Sequence, residues 1–312
     1  NGKNIYNSFA LYGGYKFNLS TKFTATAGAR YNFVSLNSEI ADNSFYNFPF
    51  TSIETSNSAL TGGAGAVFRP DSHTELTLNL STGFRAPNLD DLGKVFESAP
   101  GVLVVPNPDL RPEYLYNIDI GASRQFGDLL LAEATGFFSY LDNAMVRREY
   151  LFNGEATANY QGEESTVYAI VNAGYAVVYG AQVKAELKPA SFLRIKSALT
   201  LTRGYDNDKE PWRHVPPLFG TTHVIYEKSS IKADLYCVYN GSIPYERLAL
   251  SERDKPYMYA VDDQGNPWSP GWFTLNFKSS YNINNRLELT AGIENILDMR
   301  YRPYSSGIAA PG

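Results

Sequence analysis

Residues 73–85 read HTELTLNLSTGFR, and residues 86–113 read APNLDDLGKVFESAPGVLVVPNPDLRPE. In the first stretch Leu76, Leu78, Leu80 and Phe84 fall on one face. Glu75, Thr77, Asn79, Ser81 and Arg85 fall on the other. A period of two residues is that of a β-strand with one apolar and one polar face. From Glu113 the pattern resumes, with Tyr114, Tyr116, Ile118 and Ile120 set against Leu115, Asn117, Asp119 and Gly121. The Pro-rich connection between these strands, 86–112, is roughly 27 residues long, far beyond a hairpin turn.

Working outward, the same period predicts twelve strands, at about 6–18, 22–36, 58–69, 73–85, 113–124, 128–141, 173–187, 192–204, 218–227, 230–240, 272–283 and 286–296. Short turns at 18–21, 70–72, 125–127, 188–191, 228–229 and 282–285 carry Asn, Pro, Asp and Gly. Long loops at 37–57, 86–112, 142–172, 205–217 and 241–271 alternate with them. Strict short–long alternation places every long loop at one end of an antiparallel meander. Outer-membrane barrels have that asymmetry, and Greek-key sandwiches do not. The expected fold class is therefore all-β, an antiparallel up-and-down transmembrane β-barrel, here partial with about twelve strands. The polar set, including Lys184, Glu186, Lys232, Asp234, Lys278 and Glu288, should line a wet lumen. The apolar set ends in aromatics such as Tyr15, Phe17, Phe84, Tyr114, Phe138, Tyr140, Tyr179, Phe273 and Tyr281, the placement of interfacial girdles.

Composition removes several classes. Apolar runs such as 101–105 and 129–132 are far short of the ~20 residues of a transmembrane helix. A net charge of -5 with no basic patch leaves nucleic acid without an electrostatic footprint. Cys237, the single cysteine, can form neither an intrachain disulfide nor a Cys-based zinc site. It shares a face with Ile231, Ala233 and Leu235 and reads as a small lipid-facing residue. His73, His214 and His223 fall in a turn, a loop and a strand, so local spacing gives them no metal cluster and no evident partner. The acidic runs at 206–210 and 262–263 lack calcium-loop spacing and read as solvated loop charge. No nucleophile–base arrangement stands out, and no enzyme is expected.

FRAPN (84–88) and NPDLRPE (107–113), bracketing a long loop, resemble the barrel domain of TonB-dependent outer-membrane receptors. NAGYAVVYGAQVKAEL (172–187), HVPPLFG (214–220) and ENILDMRYRPYSSGIAAPG (294–312) resemble later barrel segments of that family. The resemblance implies that residues 1–312 are the C-terminal portion of a barrel of about 22 strands. It further implies that the plug domain, the first strands and one closing strand lie outside this chain. It implies location in a Gram-negative outer membrane and import of a large solute, with a siderophore-type iron chelate favoured. TonB would drive import through the plug. The implied partners are outer-membrane lipid, TonB, the remaining strands and plug, and a small-molecule ligand. No resident cofactor or metal and no nucleic acid is expected. Related haem receptors carry a histidine between the two boxes, and 86–107 contains none.

Arg85, Pro87, Asn107, Pro108, Arg111 and Pro112 read as architectural, with prolines stiffening the loop ends and arginines pairing with carboxylates or carbonyls. Asn295 and Asp298 read as turn and strand-end caps. Candidate substrate-binding residues, all aromatic or basic and all toward the long-loop end, are Arg147, Arg148, Tyr150, Tyr205, Trp212, Arg213, Tyr245, Arg247, Tyr257 and Trp268. Two other readings are kept: a passive porin or glycan-import barrel, and a soluble or surface-anchored β-rich binding protein.

Overall fold

A computed structural model of the chain describes residues 2–41, 43–44, 48, 50–172, 174–253, 255–306 and 308–310. Strands β1 (Asn4–Asn18), β2 (Phe23–Glu39), β3 (Ser52–Asp71) and β4 (Thr74–Arg85) run up and down in sequence. The first long excursion holds helix α1 (Leu89–Gly93) and strands β5 (Phe96–Ala99) and β6 (Val102–Val105). β7 (Glu113–Phe126) and β8 (Leu130–Asp142) follow. A second excursion holds β9 (Met145–Glu149), β10 (Thr157–Tyr160) and β11 (Glu163–Asn172). The wall then resumes with β12 (Tyr175–Ala190), β13 (Leu193–Asp206), β14 (Phe219–Lys228) and β15 (Ile231–Asn240). The last long excursion carries α2 (Leu250–Arg253) and the hairpin β16 (Ala260–Val261) and β17 (Pro267–Trp268). β18 (Trp272–Asn284) and β19 (Leu287–Ile293) end the wall.

Twelve strands form one sheet in the order β1-β2-β3-β4-β7-β8-β12-β13-β14-β15-β18-β19, each antiparallel to its neighbour. All twelve expected wall strands are present. Among the described residues β1 pairs only with β2 and β19 only with β18, so the sheet is open, with one edge strand at each side. Position 173, an expected strand start, and Pro311–Gly312, expected as loop, lie outside the described residues.

Register keeps the two faces apart across the whole sheet. Asn79 opposes Asp119, Glu133 opposes Lys184, and Asp234 opposes Lys278. On the other face Leu78 opposes Ile120, Val183 opposes Leu199, and Cys237 opposes Leu275. Leu11, Leu60, Ile120, Val183 and Leu289 are exposed there, which lipid would cover and water would not. The charged residues on that face are Glu39, Glu54, Asp71, Arg124, Asp142, Arg203 and Lys228, all within three residues of a strand end. A lysine or arginine at a bilayer midplane costs roughly 2–4 kcal/mol, but about 0–1 near the interface, and this distribution follows that gradient. Arg124 and Lys228 also lie over the rings of Phe126 and Phe192.

Aromatics mark both margins of the apolar face. Phe84 meets Tyr114 at 5.5 Å and Tyr140 meets Tyr175 at 5.5 Å toward the long-loop end. Tyr15 meets Phe17 at 4.6 Å and Phe192 meets Tyr226 at 5.7 Å toward the short turns. The polar face is wired by ion pairs and hydrogen bonds instead. Lys196 lies 2.9 Å from Glu186, and Asn117 donates to Asp119 at 2.8 Å. His223, expected to lack a partner, has its Nδ1 3.1 Å from both oxygens of Asp234. Asp234 also faces Lys278 at 3.4 Å, and His223 stacks on Tyr236 at 5.0 Å. Cross-strand register supplies that partner, and local spacing could not reveal it.

Three expectations need correction. The loop expected at 37–57 is shorter, because β2 and β3 run on to the pair Glu39–Ser52. Polar residues on both faces of that extension erased the period, although Leu36 and Ile53 are buried there beneath Leu92. The loops expected at 86–112 and 142–172 are not structureless. β6 pairs in parallel with β11, β5 with β6, and β9 and β10 with β11, so both excursions share a five-stranded sheet. The last strand, expected to reach 296, stops at Ile293 because Asn295 and Asp298 take left-handed backbone conformations.

Candidate functional site

The long-loop end is held by the two sequence boxes. Arg85, closing β4, donates to both oxygens of Asp91 at 2.9 and 2.7 Å and to Glu113 at 2.9 Å. Such forked pairs fix direction as well as distance. Asn88 and Asp91 close a reciprocal cap on α1, and Pro87 is fully buried. From the second box, Asn107 donates to the Ile170 carbonyl at 2.8 Å. Arg111 engages Asn172 through its backbone, its N–H donating at 2.8 Å and its carbonyl accepting at 3.0 Å. Asn172 also donates to the Asn143 carbonyl at 2.6 Å. Pro108 and Pro112 flank these contacts. Asn295 caps its own turn, exchanging hydrogen bonds with the backbone of Met299 at 2.9 and 3.0 Å, and Asp298 donates its N–H to the Asn295 carbonyl.

Above the boxes the small sheet has its own core of Leu103, Val105, Val167 and Ala169, with Tyr150 and Phe152 packed against it. Arg147 on β9 donates to Ser98 at 2.6 Å and lies 5.0 Å over the Tyr168 ring. Arg148 reaches the next loop, pairing with buried Asp206 and, at 3.4 Å, with Asp208. Asp206 also accepts the N–H groups of Asp208 and Glu210 at 3.0 Å, so this acidic run anchors a turn. Asp262 does the same for Gln264 and Asn266, which hold its carboxyl below the usual range, with the Asn266 N–H the largest cause.

The last two loops meet at Glu252, which is fully buried. It accepts from Arg213 Nε at 2.8 Å and from the Tyr259 hydroxyl at 2.5 Å, and Lys255 lies at 3.6 Å. Burial alone would raise its carboxyl. The Tyr259 hydrogen bond and the Lys255 and Arg213 charges outweigh that and hold it below the usual value. Burial and Glu252 push the Tyr259 hydroxyl upward and take Tyr304 up to about 12. His214, held at positive φ, is lowered by burial and by Arg213.

The ten candidate residues do not converge on one site. Tyr150 is core of the small sheet. Tyr205 lies on the apolar face, edge-on to Tyr179 at 6.4 Å. Trp212 folds back with its backbone N–H donating to the Gly204 carbonyl at 2.9 Å. Gly204 must be small there, since a Cβ would meet Val215 at 2.9 Å. Tyr245 lies 4.7 Å under the Arg253 guanidinium. Arg247 is half-buried, and its pKa is lowered by burial and then by Arg203. It has no carboxylate partner among the described residues. Trp268 belongs to the β16–β17 hairpin. Tyr257 alone lines a cleft, of about 310 Å³, together with Tyr259, Trp272, Arg300, Tyr301 and Arg302. The last four are absent from the sequence candidates. Trp272 was read as the start of a wall strand, and Arg300, Tyr301 and Arg302 fall in 294–312, which was read only for its resemblance to a late barrel segment.

The chain matches the family model "TonB dependent receptor-like, beta-barrel" over residues 1–296. It is 24% identical over 265 residues to a probable hemoglobin and hemoglobin-haptoglobin-binding protein of Haemophilus influenzae, across 78% of this chain and 25% of that protein. The copper transporter OprC superposes with a TM-score of 0.74 at 17% identity, over 96% of this chain and 43% of that one. The siderophore receptor PiuA from Acinetobacter baumannii gives 0.68 at 17% identity, over 96% and 40%. The chain thus spans about a quarter of the curated relative and less than half of each of these solved chains.

Proposed function

The chain belongs to the TonB-dependent receptor β-barrel family, and from that premise we propose that it forms part of the wall and outer loops of an energised importer. The cell is Gram-negative, the membrane is the outer one, and the solute is a large iron chelate of the siderophore type. A plug domain outside this chain carries the coupling to TonB. The observation that carries this reading is the separation of surfaces. An apolar face bounded by aromatic margins suits lipid, and a polar face wired by ion pairs suits a lumen. The loops after β8, β13 and β15 carry arginines and aromatics at one end of that lumen.

A second reading, capture of haem iron from a haem protein, is favoured by the name of the Haemophilus influenzae relative. The absence of histidine from 86–107 weighs against ligation between the boxes. A passive pore would keep the two faces but would need no plug.

The test is uptake of radiolabelled iron, supplied as a ferric catecholate, a ferric hydroxamate or haem, by cells making the full-length receptor. Saturable uptake of one of these that disappears when TonB is deleted is expected. Uptake unchanged by that deletion would point to a passive pore.

A further inference from the structure

We infer that the cleft beside Trp272 and Tyr301 seats a planar aromatic group carrying an anionic oxygen. The inference rests on the import reading and names the part of the solute that this corner of the receptor grips. Four rings wall the cleft, those of Tyr257, Tyr259, Trp272 and Tyr301. Trp272 and Tyr301 stack on each other at 4.2 Å with 30° between their planes, which uses one face of each ring and leaves an outer face of the pair for a further ring.

Charge in the cleft has one sign. Arg300 and Arg302 both line it, and no aspartate or glutamate does among the described residues. Arg302 is fixed by donating to the Met258 carbonyl at 2.7 Å, so its fork is aimed by backbone. Arg300 is exposed and has no hydrogen bond or ion pair among the described residues. Glu252, which holds the Tyr259 hydroxyl, is already spent on Arg213, Lys255 and Tyr259. The Tyr259 hydroxyl points to Glu252, leaving its ring to the cleft. Tyr257, 65% exposed, stands at the margin, where it can close over a bound ring.

Size narrows the class. A volume of about 310 Å³ is at the small end of ligand pockets, which run from roughly 300 to 1,000 Å³. It fits one aryl ring with its oxygen substituents and not a whole metal chelate or porphyrin. The cleft therefore holds one arm or edge of a larger solute. A catecholate arm and a haem edge with its propionate share this chemistry.

The test measures equilibrium binding to the full-length receptor in detergent. The probes are ferric 2,3-dihydroxybenzoate, haemin and, as the non-aromatic control, ferric acetohydroxamate. Arg300→Glu and Tyr257→Ala alter side chains that hold nothing else in place, and Ala309→Trp fills the cleft. Heat unfolding confirms that each variant is folded. Each is expected to weaken an aromatic probe by about tenfold or more while sparing the hydroxamate. The aromatic probe affected identifies the source of the ring. Variants that bind both aromatic probes as the wild type does would overturn the inference, as would a wild type that binds neither. Failure of TonB-dependent uptake with cleft-dependent binding intact would count against the import reading alone.

Discussion

Glu252 shows how one residue organises the outer surface. Its neighbours come from three separate segments: Arg213 from the loop after β13, Lys255 and Tyr259 from the loop after β15, and Tyr304 from beyond β19. Removing one partner of a buried charged set costs about 3–5 kcal/mol, and the half exposure of Arg213 puts this case at the low end. Glu252→Gln in the full-length receptor should raise hydrogen exchange in 245–260 by about a hundredfold and leave the wall strands unchanged. Unchanged exchange in that segment would remove Glu252 from this role. The pH dependence follows from the lowered carboxyl. A group whose pKa is depressed by folding stabilises the fold above its unfolded value, near 4.5, and loses that contribution as pH falls through the lower folded value. Protection of 245–260 should therefore hold from neutrality to about pH 5 and fall only in more acid solution. Nothing in LSERDKPYMY marks Glu252 as buried. Its role depends on Arg213, 39 residues away, which no local pattern reveals.

At the scale of elements, the wall strands were legible because lipid and lumen impose a two-residue period on each of them. The small outer sheet was not. Its strands are four to ten residues long, both faces are partly buried, and its central pairing joins β6 to β11 across two wall strands. The boxes were read as architecture, and at Arg85 the guanidinium meets Asp91 and Glu113. Their other partner, Asn172, was not foreseen. Its side chain satisfies three backbone groups of Arg111 and Asn143. Asn172→Ala would strand those groups at roughly 1 kcal/mol each. We expect proteases to cut 143–172 faster in that variant, with the wall still intact. Cutting at the wild-type rate would show that the small sheet holds without this clasp.

Across the whole molecule, the account depends on which face meets lipid. Every charge on the apolar face lies near a strand end, and the polar face carries its ion pairs along its length. That division was legible in the sequence, because alternation survives whatever the loops do. The ligand end was legible only as a direction. The aromatic and basic candidates lie toward the long loops, but folding spends most of them on packing and places the Trp272–Tyr301 cleft between an expected strand start and the 294–312 segment, neither of which was offered as ligand-binding. The most direct measurement of the central claim is spin-label accessibility in the full-length receptor in bilayers, in a Cys237→Ser background. Labels at 78, 120 and 235 should collide with oxygen dissolved in lipid and be shielded from a water-soluble nickel chelate. Labels at 81, 135 and 232 should be shielded from lipid. Labels at 78, 120 and 235 that respond to the nickel chelate, with 81, 135 and 232 responding to lipid-dissolved oxygen, would contradict the account.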